Sequence, residues 1–102
     1  MIRHIVLIRF REELDNAGIE RLLKSVHMLK DQIPGILAIS SGADSSPEGL
    51  DKGFAHGFIV DFKDAAARDA YLPHPAHVEV GQSLVAAAKD GINGIVVFDM
   101  EM

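Results

Sequence analysis

The sequence GFAHGFIVDF, residues 53–62, places side chains of different character at alternate positions. A period of two is typical of a β-strand, whose successive side chains point to opposite faces of a sheet. One face of this stretch carries Phe54, His56, Phe58, Val60 and Phe62. The other face carries Ala55, Gly57, Ile59 and Asp61. The pattern therefore predicts a strand over residues 53–62.

Three further strands are predicted over residues 2–10, 36–43 and 92–100. In the first of them both sets of alternate positions are apolar in the middle, which indicates that both of its faces are covered. The strand over residues 36–43 has a weaker pattern of small side chains.

Helices are predicted between these strands. Asp15 or Asn16 can cap a helix that ends at Pro34-Gly35. Its apolar residues recur at a spacing of about 3.6 and are Ile19, Leu22, Leu23, Val26, Leu29 and Ile33. Residues 63–71 predict a short alanine-rich helix, and residues 78–89 predict another. The segment Pro73-His74-Pro75 separates the two.

The resulting order is β-α-β-β-α-β, which is the ferredoxin-like arrangement of the α+β class. It predicts one domain, residues 1–102, with an antiparallel four-stranded sheet and helices on one face. The first and third strands are expected at the centre of the sheet.

Composition excludes several classes of function. The net charge is −5 with scattered basic residues, which argues against nucleic acid and anionic membranes as partners. The chain has no cysteine, so it has no disulfide, thiolate nucleophile or cysteine-based zinc site. No signal segment and no apolar run of about 20 residues is present, so the expectation is a soluble cytoplasmic protein.

The sheet face without helices predicts a homodimer. Ile5, Leu7 and Ile59 occupy that face if the even positions of the central strands face the helices. A contiguous apolar face is best covered by a second copy in a two-fold dimer. The alternative is that these side chains are scattered and tolerated singly.

The helix-covered face predicts a small-molecule pocket. His4 and His56 are expected on neighbouring central strands, near corresponding depths, and Tyr71 and His77 are expected in the helical layer above them. A few convergent polar groups among apolar walls are typical of such pockets. The predicted walls are Val6, Ile8, Leu22, Leu23, Val26, Phe58 and Leu84. The alternative is that each histidine is a satisfied core residue and that the apolar residues simply pack.

The segment Tyr71–Val80, written by its letters YLPHPAHVEV, holds the only tyrosine and two of the five histidines. His74 and His77 are three apart, but a zinc site needs another protein ligand, so no metal site is predicted. His74 is expected to anchor the loop. His77 is the candidate general base, and the Tyr71 hydroxyl is the group that polarises a carbonyl. Proton abstraction next to a carbonyl, with ring closure or isomerisation, needs no cofactor, so none is predicted.

The chain resembles the stress-responsive A/B barrel domain family, also called Dabb. The resemblance is carried by residues 2–10, Ile33-Pro34-Gly35-Ile36, Gly53-Phe54-Ala55-His56, Tyr71-Leu72-Pro73-His74-Pro75-Ala76-His77 and Val96-Val97-Phe98-Asp99. It implies a ferredoxin-like protomer that dimerises sheet to sheet into an α+β barrel, with a pocket between sheet and helices. Most members are of unassigned activity.

One plant branch of that family is similar to polyketide cyclases. The resemblance implies that Tyr71 and His77 serve an aldol cyclisation there, and that His4 and His56 line the pocket. The branch has bulky aromatic residues in the first helix, where this chain has Leu22-Leu23 and Val26-His27. Its substrate is therefore not transferred.

Three functions remain open at the level of sequence. The first is a dimeric small-molecule-binding domain, with or without activity as a cofactor-free lyase, cyclase or isomerase. The second is a stress-associated structural protein whose histidines only support the fold. The third is a cofactor-free monooxygenase, and it rests only on the architecture shared with the wider group of dimeric α+β barrel proteins.

Overall fold

The computed structural model describes residues 1–102 as four strands and three α-helices. The strands are β1 (Ile2–Ile8), β2 (Ile36–Ala43), β3 (His56–Phe62) and β4 (Ile95–Glu101). The helices are α1 (Asn16–His27), α2 (Ala65–Tyr71) and α3 (Pro75–Ala87), with short 3₁₀ helices at Met28–Asp31 and Gly91–Gly94. None of the helices combines the length and the apolar character that crossing a membrane requires.

The strands form one antiparallel sheet in the order β2-β3-β1-β4. The predicted ferredoxin-like α+β fold is confirmed, with β1 and β3 at the centre. Even-numbered side chains of both central strands are buried beneath the helices, except for the half-buried His56 at the start of β3, whereas odd-numbered ones are not buried. This side is called the covered face below, and the opposite side the uncovered face.

The first helix begins and ends on local signals. Asp15 is its cap, and one carboxylate oxygen accepts a hydrogen bond of 2.8 Å from the Gly18 amide. The helix was predicted to continue to Pro34-Gly35, but its last turn tightens into the 3₁₀ helix Met28–Asp31. Gly35 then adopts a φ of 90°, a left-handed conformation that glycine accepts without strain.

The third helix begins at Pro75, three residues earlier than predicted. Proline lacks an amide hydrogen and its fixed φ suits the first helical position, so Pro75 starts the helix instead of preventing it. Nδ1 of His74 accepts a hydrogen bond of 3.1 Å from the Ala76 amide. His74 is thus the cap of α3.

Three strands are shorter than predicted, each for a local backbone reason. β1 stops at Ile8, because the next backbone groups, those of Arg9, bond to Gly94 and Lys89 outside the sheet. Residues 91–94 form a 3₁₀ turn, so β4 starts at Ile95. Gly53 has a φ of 86°, which keeps it outside β3.

Candidate functional site

A cavity of about 600 Å³ lies between the covered face and helix α3. Hydrophobic residues make up 14 of the 18 that line it, and no lysine, arginine, aspartate or glutamate is among them. Its groups that can form hydrogen bonds are the side chains of His4, His77 and Gln82 and the hydroxyl of Tyr71, whose ring is counted among the hydrophobic residues. Such a lining favours an uncharged ligand, because a charged one would lose its hydration without gaining an opposite charge.

The structure brings most of the predicted pocket residues together. Those that line the cavity are His4, Val6, Val26, Phe58, Tyr71, His77 and Leu84. Sequence reasoning missed part of the wall, formed by Val97 and Ile95 of β4 and by Ile92 of the preceding turn. The strand order places β4 beside β1, and it would have indicated that residues of β4 also line the cavity.

His56 is a correction to the predicted pocket, because it does not line the cavity. The sheet register pairs His4 with Val60 and His56 with Ile8, so the two histidines do not lie at corresponding depths. They are four residues apart along the sheet, roughly 13 Å at 3.3 Å per residue. The ring of His56 packs instead on Phe10, with centroids 5.5 Å apart.

Ile8, Leu22 and Leu23 are also outside the cavity wall. Ile8 is fully buried at the end of β1, opposite Ile95 and His56, where it packs in the core. Leu23 is buried in the same core, and Leu22 is partly buried against it. Leu22 also borders a shallow groove that involves α1 and α3.

Tyr71 and His77 are in ring contact at the wall of the cavity. Tyr71 ends α2 and His77 lies in the first turn of α3, and the turn between the helices places their ring centroids 4.1 Å apart. Tyr71 is only 1% exposed. Burial alone raises the pKa of Tyr71, and no hydrogen bond or charge contributes to the shift. The hydroxyl therefore stays protonated and is available as a donor to a ligand in the cavity.

The orientation of His77 is set by the backbone. Its Nδ1 lies 2.9 Å from the carbonyl oxygen of Leu72. Because a carbonyl only accepts hydrogen bonds, Nδ1 carries the hydrogen, and Nε2 of the neutral ring carries a free lone pair. The orienting group that was not visible in the sequence is therefore a main-chain carbonyl, which no side-chain motif could reveal.

Burial lowers the pKa of His77. The hydrogen bond to the Leu72 carbonyl acts in the opposite direction, and the nearby rings of His4 and His74 add to the lowering. The imidazole is thus neutral at neutral pH. A neutral base with a free Nε2 stands beside a protonated phenol, which is the pairing needed for proton transfer on a carbonyl compound.

Acid is expected to destabilise the fold partly through His77. Because the pKa of His77 is lowered in the folded chain, the unfolded chain binds this proton first as the pH falls. The free energy of unfolding therefore decreases below the unfolded pKa of about 6.5 and is fully retained above it. Urea titrations on the two sides of that pKa measure the decrease. His77→Gln, which does not titrate, should lose less stability, and an equal loss in both proteins would contradict this assignment.

A series of hydrogen-bonded side chains connects β4 to the cavity. Nδ1 of His4 lies 2.6 Å from Oδ1 of Asp99, and Oδ2 of the same carboxylate accepts a hydrogen bond of 3.0 Å from Arg68. The ring of His4 stands edge-on to Tyr71, with centroids 5.9 Å apart. Asp99 and Arg68 were both missed in the sequence. The register between β1 and β4 places Asp99 directly opposite His4, so a predicted register would have identified Asp99 as the partner of His4.

Asp99→Ala is expected to lower the free energy of unfolding by about 1–3 kcal/mol, because Nδ1 of the buried His4 loses its partner. Asp69→Ala is the matched control. Asp69 binds the same Arg68 at 2.8 Å but is largely exposed, so its removal should change stability by less than about 0.5 kcal/mol. Urea titration measures both values. Equal losses would show that the His4–Asp99 contact contributes nothing specific.

Comparisons with known proteins agree with this architecture. The family model described as Stress responsive A/B Barrel Domain matches residues 2–102. The stress-response A/B barrel domain-containing protein HS1 of Arabidopsis thaliana is 35% identical over 78 residues, which are 76% of this chain and 72% of the relative. Olivetolic acid cyclase of Cannabis sativa is 28% identical over 80 residues, 78% of this chain and 79% of the cyclase.

A solved structure gives the same fold. A dimeric ferredoxin-like protein of unknown function from Jannaschia sp. CCS1 superposes with a TM-score of 0.84 and 29% identity, covering 99% of this chain and 98% of that protein. Together with the family match over residues 2–102, these similarities show that the chain belongs to the stress responsive A/B barrel domain family.

Proposed function

We propose that this protein binds an uncharged carbonyl compound in the cavity and that His77 accepts a proton from it. The observation that carries the proposal is the contact of Tyr71 and His77 at the wall of a cavity without charged side chains. A half-buried base and a buried donor at the wall of an apolar space are costly to maintain unless a ligand uses them.

The proposed step is a proton transfer at carbon. Nε2 of His77 takes a proton from the carbon next to the carbonyl, and the electron pair of that bond moves toward the carbonyl oxygen. Tyr71 donates a hydrogen bond to the oxygen as its negative charge develops. The enolate formed in this way can close a ring, eliminate a group or be protonated elsewhere, which are cyclase, lyase and isomerase outcomes. No cofactor takes part.

The similarity to olivetolic acid cyclase supports the cyclase outcome without identifying the ligand of this chain. That relative is named for a cyclisation, and this chain shares 28% of the aligned residues. The lining of this cavity by Val26 and Leu29, and not by large aromatic residues of the first helix, gives it a shape of its own. The ligand must therefore be found by experiment.

The proposal includes a homodimer formed through the uncovered face. Ile5, Leu7 and Ile59 lie on that face, together with Val96 and Phe98 of β4. Leu7, Val96 and Phe98 are among the exposed large hydrophobic residues of the chain. A dimeric neighbour of the same fold supports this assembly. Sedimentation at micromolar concentration tests it, and a monomer would contradict it.

The binding proposal is tested by thermal unfolding in the presence of uncharged ketones and β-diketones with aromatic or short aliphatic substituents. A ligand at a hundredfold excess over its Kd stabilises a protein by about 2.7 kcal/mol. For a domain of this size each kcal/mol moves Tm by about 4–8 °C. We expect at least one of these compounds to raise Tm in the wild type and to raise it less in His77→Ala.

The matched control is His27→Ala. His27 ends α1, and its Nε2 lies 2.8 Å from the Ser41 hydroxyl, outside the cavity. Its replacement should leave the ligand-dependent rise in Tm unchanged. If no compound raises Tm, or if both variants lose the rise equally, the cavity is not the binding site and a structural role for the histidines is favoured.

A further inference from the structure

The turn between α2 and α3 is held by three hydrogen bonds that converge on the start of α3. Nδ1 of His74 accepts one from the Ala76 amide, at 3.1 Å. The carbonyl oxygen of His74 accepts another from the Val78 amide, at 3.0 Å. Nδ1 of His77 donates the third to the carbonyl oxygen of Leu72, at 2.9 Å. The position of the candidate base His77 thus depends on the same few contacts as the start of its helix.

The sequence around His74 directs its ring onto the end of the helix. Proline disfavours a helical conformation in the residue before it, and His74, which precedes Pro75, is extended with a φ of −61° and a ψ of 132°. Pro75 has no amide hydrogen, so the Ala76 amide is the first of α3 that needs an acceptor. The ring of His74 supplies that acceptor.

The two histidines of the turn need opposite tautomers. Nδ1 of His74 accepts a hydrogen bond, so the hydrogen of its neutral ring is on Nε2. Nδ1 of His77 donates one, so the bare nitrogen of that ring is Nε2. A protonated ring carries a hydrogen on both nitrogens and accepts nothing. Protonation of His77 leaves its bond to Leu72 intact, whereas protonation of His74 removes the cap of α3.

No opposite charge holds a protonated His74 in place. No carboxylate forms an ion pair with His74 or His77. Among the charged residues nearest in sequence, Arg68 and Asp69 of α2 pair with each other, and Glu79 of α3 borders the groove toward α1. The titratable groups on the cavity side are His4 of β1, Tyr71 of α2 and His77 of α3. A charged ring at position 74 would also oppose the positive end of the helix dipole.

We propose that His74 is a positioning residue for His77, and that protonation of His74 releases the start of α3, so that the site is assembled at neutral pH and loosened in mild acid. This inference rests on the proposed function, because it assigns a role to His74 through the candidate base.

The choice of residue at the cap supports the proposal. Serine, threonine, aspartate and asparagine are the usual caps. None of them loses its acceptor between about pH 8 and pH 5, whereas a histidine ring changes its charge in that interval. Histidine at position 74 therefore makes the cap of α3 sensitive to pH in a way that the usual caps are not.

Amide hydrogen exchange, measured by NMR on the ligand-free protein, tests the pH dependence. Protection of the Ala76 and Val78 amides is expected to fall by about 2–30-fold between about pH 8 and pH 5, as for the loss of one helix cap. His74→Asn keeps a capping oxygen that does not titrate, so its protection should stay constant. His74→Ala should already show the low protection at about pH 8. Constant protection in the wild type, or an equal fall in His74→Asn, would overturn the proposal.

The matched control is His77→Gln, which removes the other titrating ring of the turn and leaves the His74 cap in place. Protection of the Ala76 amide should still fall in acid in this variant. If the fall disappears in His77→Gln, the acid response belongs to His77 and the assignment to His74 is wrong.

The positioning role is read from the ring nitrogens of His77 by long-range ¹H–¹⁵N NMR at about pH 8. The hydrogen should be on Nδ1 in the wild type and in His74→Asn, and divided between the two nitrogens in His74→Ala. The same tautomer in all three proteins would show that His74 does not position His77. Neither measurement uses a ligand, so failure of this inference is distinguishable from failure of the ketone screen, which tests the proposed function.

Discussion

His77→Ala is expected to slow proton exchange on a bound carbonyl ligand by about 10²–10⁴-fold, the usual contribution of a positioned general base. The ligand is the compound that raises Tm in the screen. Its protons next to the carbonyl are followed in heavy water by NMR as they are replaced by deuterium. The expectation follows from the free lone pair on Nε2 of His77, which the bond from Nδ1 to the Leu72 carbonyl enforces.

Two comparisons separate a catalytic effect from a structural one. Tyr71→Phe keeps the ring and removes the hydroxyl, so exchange should fall by about 10²–10³-fold while the ligand still binds. The wild-type rate should also fall in acid, because protonated His77 cannot accept a proton, and the lowered pKa of His77 moves that fall toward more acidic pH. Exchange at the wild-type rate in His77→Ala would exclude His77 as the base.

Phe62→Ala is expected to lower the free energy of unfolding by about 3–5 kcal/mol, a large share of the stability of a domain of this size. Phe62 ends β3 and is completely buried. Its ring packs edge-on against Tyr71 at 4.8 Å and against His4 at 6.0 Å. The substitution leaves a cavity beneath the two polar rings, so it should also weaken ligand binding. Urea titration measures the loss of stability.

The matched control for Phe62→Ala is Leu37→Ala. Leu37 is a large apolar residue of β2 that is about half exposed, so its truncation should cost less than about 0.5 kcal/mol. A cost for Phe62→Ala no larger than that of Leu37→Ala would mean that the packing beneath Tyr71 contributes little to stability.

The fold was predictable because the hydrophobic period changes clearly from two to 3.6 along the chain. The alternation in residues 53–62 and the spacing from Ile19 to Ile33 leave little choice of element type. The ends of elements were less predictable. Pro75 can end a helix or begin one, and the outcome depends on whether the preceding residue supplies a cap, which His74 does through its ring nitrogen.

The candidate site was predictable only in part, because it depends on strand register. Three of the four predicted polar members, His4, Tyr71 and His77, come together at one cavity, whereas His56 does not line it and Gln82 was not predicted. Whether His56 lies beside His4 depends on the register between β3 and β1. The alternating apolar pattern fixes which face a residue occupies, but it allows registers that differ by two residues. Asp99 was missed for the same reason, since only its pairing opposite His4 reveals it.

The most direct test of the proposed site is the tautomer of His77, read from the ring nitrogens by long-range ¹H–¹⁵N NMR at neutral pH, with and without the ketone that raises Tm. The expected result is a neutral ring with the hydrogen on Nδ1 and a bare Nε2, whose resonance shifts when the ligand is added. A ring that is protonated on both nitrogens, or one with its hydrogen on Nε2 that the ligand leaves unchanged, would contradict the role of His77 as the base.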